Sequence, residues 1–188
     1  MKKSIIVIIH IILFSAINSY SVEIKKVELN DFSSISDIKF LNDNDGIFTT
    51  IRGFYYITRT GGIDWEKKYA GTDEYLYGVY FQNDSNIWIY GSKGTLIKLD
   101  SINADFKDYS ISPIFNIKDV YFWDDRNGII ITRAESYFIT NDGGNNWERK
   151  VINNFDFMYF NSFLVMNEGN CYLLTNKFSS DSKNSISY

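Results

Sequence analysis

The strongest constraint on this chain is a repeat of 41 residues. Phe40, Phe81, Phe122 and Phe163 follow one another at that spacing. Each closes a related tetrapeptide: Asp37-Ile38-Lys39-Phe40, Gly78-Val79-Tyr80-Phe81, Asp119-Val120-Tyr121-Phe122 and Phe160-Asn161-Ser162-Phe163. Trp65 and Trp147 lie two periods apart, with Phe106 in the slot between them and Tyr188 one period beyond. Gly46, Gly128 and Gly169 share the register, Ile87 standing in the remaining slot. Three registers at one period specify a repeat architecture, in which a unit buries its apolar face only by stacking on its neighbours.

Within the first unit, Asp37–Asn42 alternates as a strand does, and Asp43-Asn44-Asp45-Gly46 is a turn. Ile47–Ile51, Phe54–Arg59 and Trp65–Tyr69 then read as strands, separated by Arg52-Gly53 and by a turn around Gly61-Gly62. The turns carry the Asp, Asn and Gly that tight hairpins need, and the strands carry the β-branched and aromatic residues that suit a packed pleat. One proline in 188 residues agrees, because interior strands need every N–H. The fold class expected is all-β: a β-propeller-type array of about four four-stranded blades, either a closed small propeller or an incomplete part of a larger one. The units fall near 36–70, 77–110, 117–151 and 158–188, with 22–30 as an outermost fourth strand.

The N-terminus reads differently. Met1-Lys2-Lys3 is a basic n-region, Ile5 to Phe14 an apolar run of ten, and Ser19 and Ser21 are small residues at cleavage-site spacing. This is the pattern of a secretory signal peptide over 1–21, too short to span a bilayer, and no later run is long enough to do so. No Cys stands in the segment directly after the apolar run, so a lipoprotein anchor is not expected. Cleavage after Ser21 leaves 22–188 as one domain of 167 residues, against 164 for four repeats. It leaves 17 basic against 23 acidic residues, a net charge of −6, and removes His10, the one histidine. Histidine-based catalysis and histidine metal ligation go with it. Cys171 is alone, so there is no disulfide framework, and its strand-like neighbours make it a buried, inert thiol. No cofactor and no metal site are expected. Asp43-Asn44-Asp45-Gly46 and Asp124-Asp125-Arg126-Asn127-Gly128 look superficially like calcium loops, but neither continues to the required Glu, and both read as hairpin turns.

Thr140-Asn141-Asp142-Gly143-Gly144-Asn145-Asn146-Trp147 resembles the Asp-box, or BNR repeat. Thr58-Arg59-Thr60-Gly61-Gly62-Ile63-Asp64-Trp65 is a second copy with Thr60 in place of the Asp, and the copies in the second and fourth units are eroded. With the preceding Asp-Val-Tyr-Phe segment, residues 35–170 resemble the photosystem II stability/assembly-factor family and the wider set of exported, sortilin-like BNR propellers. The resemblance implies a propeller, a non-catalytic binding or assembly role, and a structural role for Thr58, Gly61, Gly62, Trp65, Thr140, Asp142, Gly143, Gly144 and Trp147. Sialidases share the box, but they need an arginine triad and a Phe-Arg-Ile-Pro segment. The five arginines here (Arg52, Arg59, Arg126, Arg133 and Arg149) do not form that pattern.

Propeller topology places every second-to-third-strand turn on one end of the array. Those turns carry Arg52, Lys93, Arg133 and Lys177, one basic residue per unit, while the opposite turns are acidic. A basic end on an acidic protein suits the steering of an acidic protein segment or a polyanionic glycan. Nucleic acid is a poor partner for an exported acidic chain. The function expected is an exported, non-enzymatic interaction or assembly module. The alternatives are a glycan-binding or glycosidase-like propeller, or a truncated piece of a larger propeller.

Overall fold

The computed structural model describes residues 34–134 and 136–152 in full, together with the backbone of four further strands. Strands β1 (Ile5–Ile12) and β2 (Ser21–Glu28) form an antiparallel pair. Three four-stranded antiparallel meanders follow. The first is β3 (Ile35–Phe40), β4 (Gly46–Thr50), β5 (Phe54–Thr58) and β6 (Glu66–Tyr69). The second is β7 (Leu76–Asn83), β8 (Asn86–Gly91), β9 (Leu96–Leu99) and β10 (Phe106–Asp108). The third is β11 (Ile117–Phe122), β12 (Gly128–Thr132), β13 (Ser136–Thr140) and β14 (Glu148–Val151). A last antiparallel pair is β15 (Met158–Asn167) and β16 (Asn170–Lys177). This is the expected all-β blade array, and no ring closure is found among the described residues. The expectation that 22–30 serves as a fourth strand falls on β2, which in the full chain pairs with Ile5–Ile12. Cleavage after Ser21 would remove that partner.

Among the described residues the first blade buries a face against the second, and the second against the third. The first seam is aliphatic: Ile47 and Ile57 of the first blade meet Val79, Ile87, Ile89, Ile97 and Leu99 of the second. The second seam is aromatic. Trp88 lies fully buried and stacks on Phe122 at 5.4 Å, and Trp147 meets both rings edge-on. Burial of side chains this size supplies about 1.5–3 kcal/mol each, which is why the array is held by its seams rather than within its sheets.

Polar bonds fix how neighbouring blades sit. Asp37 Oδ2 accepts the Val79 N–H at 3.1 Å. The Tyr80 hydroxyl donates to the Phe122 carbonyl at 3.0 Å and accepts the Phe122 N–H at 3.1 Å. Gln82 Nε2 donates to the Asp124 carbonyl, and the Tyr90 hydroxyl donates to Asp119 Oδ1 at 2.9 Å. Burial, with the Asp119 carboxylate beside it, holds the Tyr90 phenol far above its ordinary pKa. Gly78 makes room for this, since a Cβ there would collide with the Tyr90 hydroxyl. The innermost strand of each blade also bulges at one repeating position, around Ser36, Tyr77 and Lys118. A bulge re-aims a side chain without ending the strand.

Replacing Tyr80 by Phe keeps the ring in the aromatic seam but leaves the Phe122 N–H without its acceptor. Urea unfolding should show a loss of about 1–3 kcal/mol. An unchanged midpoint would show that the hydroxyl does not hold the two blades together.

Candidate partner-binding face

The strand pairings divide the turns between two ends. Phe54 opposite Tyr69 and Ser136 opposite Val151 mark the end with the second-to-third turns and the blade-to-blade connections, 70–75 and 109–116. Gly46 opposite Thr58 and Gly128 opposite Thr140 mark the other, where the boxes lie.

At the box end, Thr140 Oγ1 accepts the N–H of Gly144 at 2.9 Å and donates to Asp142 Oδ1 at 2.8 Å. Asp142 Oδ1 also accepts the Asn146 N–H, and Oδ2 the Asn146 side-chain amide. These bonds, those from Asn146 foremost, pull the Asp142 carboxyl down to about 2. Gly143 N–H donates to the Arg126 carbonyl, tying the box to the first hairpin of its own blade. Gly144 has φ +83, and a Cβ there would stand 2.5 Å from the Trp88 ring of the previous blade. In the first blade Thr60 Oγ1 accepts the Asp64 N–H at 2.9 Å, and Thr58 Oγ1 accepts the Gly62 N–H. Trp65 packs on Phe48 and donates its indole N–H to the Gly62 carbonyl. Gly61, like Gly143, donates to its neighbouring hairpin, here at the Asn44 carbonyl. The other acidic turns at this end are closed on themselves. Asp124 Oδ1 accepts the N–H groups of Arg126 and Asn127, and Asn42 does the same for Asn44 and Asp45.

The opposite end brings three of the four basic turn residues into view. Arg52 is exposed, without a hydrogen bond or ion pair among the described residues. Lys93 occupies left-handed backbone, φ 46 and ψ 41, the one non-glycine among the described residues with positive φ. Arg133 is exposed and lays its guanidinium over the ring of Tyr77, the bulge residue of β7, at 4.6 Å. Asn116 joins the last two turns: its carbonyl accepts the Arg133 N–H and its Oδ1 accepts the Lys93 N–H. Lys177 is the last residue of β16, and its side chain lies outside the described residues.

The connections add what a census of second-to-third turns overlooks. Glu74 is held between Lys93 Nζ at 2.8 Å and Ser92 Oγ at 2.9 Å, and these two contacts lower its carboxyl pKa, the Lys93 contact foremost. Ser92 in turn accepts the Tyr75 N–H. Tyr75 and Ile114 stand exposed here, as do Tyr69 and Val151, while Ile63 is the one other large exposed apolar residue among those described. The face is therefore mixed: exposed cations, two carboxylates (Glu74 against Lys93, and exposed Asp73, which accepts from the Tyr69 hydroxyl) and apolar side chains. The apolar stretch Tyr109-Ser110-Ile111-Ser112-Pro113-Ile114-Phe115, in a segment between strands, was the available signal for it.

Blades of this form define a β-propeller-type repeat protein. No family model matches the chain. It is 28% identical over 143 residues to the Photosystem II assembly lipoprotein Ycf48 of Synechococcus sp. (strain CC9605), the match covering 67% of this chain and 42% of that relative. For the same protein of strain CC9902 the identity is 27% over 114 residues, covering 56% and 34%. Among solved structures, Ycf48 bound to a D1 peptide superposes with a TM-score of 0.64 at 16% identity, over 83% of this chain and 54% of that one. Ycf48 from Cyanidioschyzon merolae gives 0.59 at 21% identity, over 76% and 48%. The chain thus spans less than half the length of these curated relatives and about half that of the solved chains. The likeness to the solved structures establishes the propeller fold, and the matches support the resemblance to photosystem II assembly-factor-like proteins. No helix among the described residues is long and apolar enough to cross a membrane.

Asp142→Ala should cost about 1 kcal/mol, the turn being open to solvent, and chemical denaturation measures it. The folded carboxyl titrates below its unfolded value of about 3.9, so its contribution is present above about pH 4 and lost as pH falls through about 2. The wild-type advantage over Asp142→Ala should shrink across that window. A gap independent of pH would contradict it.

Proposed function

We propose that this chain is an exported, non-enzymatic interaction or assembly module that docks an acidic segment of a protein on the end of the array bearing Arg52, Lys93 and Arg133. The observation that carries the reading is the coincidence of three cationic turns with exposed Tyr69, Tyr75 and Ile114 on one end. Charge steers and orients an approaching segment, and desolvated aromatic contact holds it. The relatives' descriptions support a protein partner, since one solved Ycf48 is bound to a D1 peptide. Export is argued from the leader pattern over 1–21, and the role of the boxes in this reading is to hold the blades that present the face.

Binding to arrays of acidic, neutral and basic peptides, with a glycan array beside them, tests the reading. Signal should follow the acidic peptides. It should fall at least tenfold in the combined variant Arg52→Glu, Lys93→Glu, Arg133→Glu, with the far-ultraviolet dichroism unchanged. Binding that survives the charge reversal, or that follows glycans, would overturn it.

A further inference from the structure

Lys93 differs from the other cations of this face. Arg52 has no carboxylate partner and Arg133 lies on a ring, whereas Lys93 Nζ is taken by Glu74 at 2.8 Å. Glu74 is not a repeat feature. One period later the position is Phe115, which is buried in the aromatic seam and meets Phe138 edge-on. In one connection this position anchors the seam, and in the other it holds a carboxylate against the cationic turn. The pair is open to water, with the Glu74 side chain 31% and the Lys93 side chain 66% exposed. Such a pair contributes little to stability and is readily exchanged for another carboxylate.

From this juxtaposition we infer that Glu74 is an internal stand-in for the partner: a carboxylate of the docking segment displaces it from Lys93 Nζ and Ser92 Oγ, and the neighbouring residue of the segment packs on Tyr75 or Ile114. The inference rests on the docking reading and adds a built-in competitor that weakens binding until the segment brings its own charge. Lys93 is pre-set for either partner. Its left-handed backbone is pinned by its N–H to Asn116 and by the Thr95 N–H to the Ser92 carbonyl.

Fluorescence anisotropy of the full chain with a labelled decapeptide alternating Glu and Leu tests this. Glu74→Gln, which keeps an acceptor for Ser92, should tighten Kd by about two- to fivefold at low ionic strength. In a Lys93→Met background the same substitution should change nothing. On the unmodified chain, titration with the peptide should move the Glu74 carboxyl carbon resonance toward that of a free glutamate, a readout that does not depend on the variant folding. Wild-type binding with an unchanged or weakened Kd in folded Glu74→Gln, or with an unmoved Glu74 resonance, overturns the stand-in and leaves the docking reading intact. No binding by either protein overturns both.

Discussion

The seams between blades are the constraint on which everything else in this protein depends. A single four-stranded meander exposes apolar side chains on both faces and cannot bury them alone. Packing Trp88 on Phe122, or Ile47 and Ile57 on the second blade, solves that problem and fixes the spacing of the units. The polar bonds Asp37 to Val79, Tyr80 to Phe122 and Gln82 to Asp124 then remove the freedom to slide. They link side chains of one blade to the backbone of the next blade's innermost strand or of the turn that follows it, so they read the register of the neighbouring segment rather than the identity of its residues. Apolar burial supplies the attraction, and these bonds choose one alignment from the many that burial alone would accept.

The candidate face is a consequence of that alignment. Lys93 and Arg133 belong to different blades and meet at Asn116 only because the second seam is held in register. The bulge at Tyr77 places an aromatic ring where Arg133 can lie over it, and the left-handed Lys93 turns its N–H to Asn116. None of these contacts is strong alone. Exposed ion pairs and cation–π contacts contribute about 1 kcal/mol or less each. Their value lies in setting several mobile cations at fixed places on a rigid end, which reduces the ordering cost of binding.

The repeat was legible because it is written in two series of aromatic residues and one of turn glycines, and the strands follow from it with small shifts. The expected strand Asp37–Asn42 is Ile35–Phe40 in the structure. The bulge at Ser36 lets the ladder continue back to Ile35, and the Asn42 side chain accepts the Asn44 and Asp45 N–H groups, ending the strand early. Asn42, Asn83 and Asp124 stand at the repeat spacing, and each accepts the backbone N–H two residues on, a fourth register that polar residues disguised; Asn83 does so while still paired with Asn86 as the last residue of β7. What the sequence did not disclose depends on contact across seams. Gly144 reads as a turn residue, yet its lack of a side chain also admits the ring of Trp88. Glu74 breaks the period, and its partner lies 19 residues away, in the next blade.

The erosion of the boxes shows which level of organisation is fundamental. In the first blade Thr60 replaces the Asp and still accepts the Asp64 N–H, so one bond of the motif survives a change of chemistry. In the second blade the segment Leu99-Asp100-Ser101-Ile102-Asn103-Ala104-Asp105-Phe106 keeps no paired glycines and no Trp. There Ile102 is buried in the first seam, Phe106 packs against it, and the Ala104 N–H closes the turn on Ser101. The blade forms because the seam is filled, whichever side chain fills it. A motif that can be lost while its blade persists is a local means of closing a turn, and the repeat spacing endures because every blade must still reach the next.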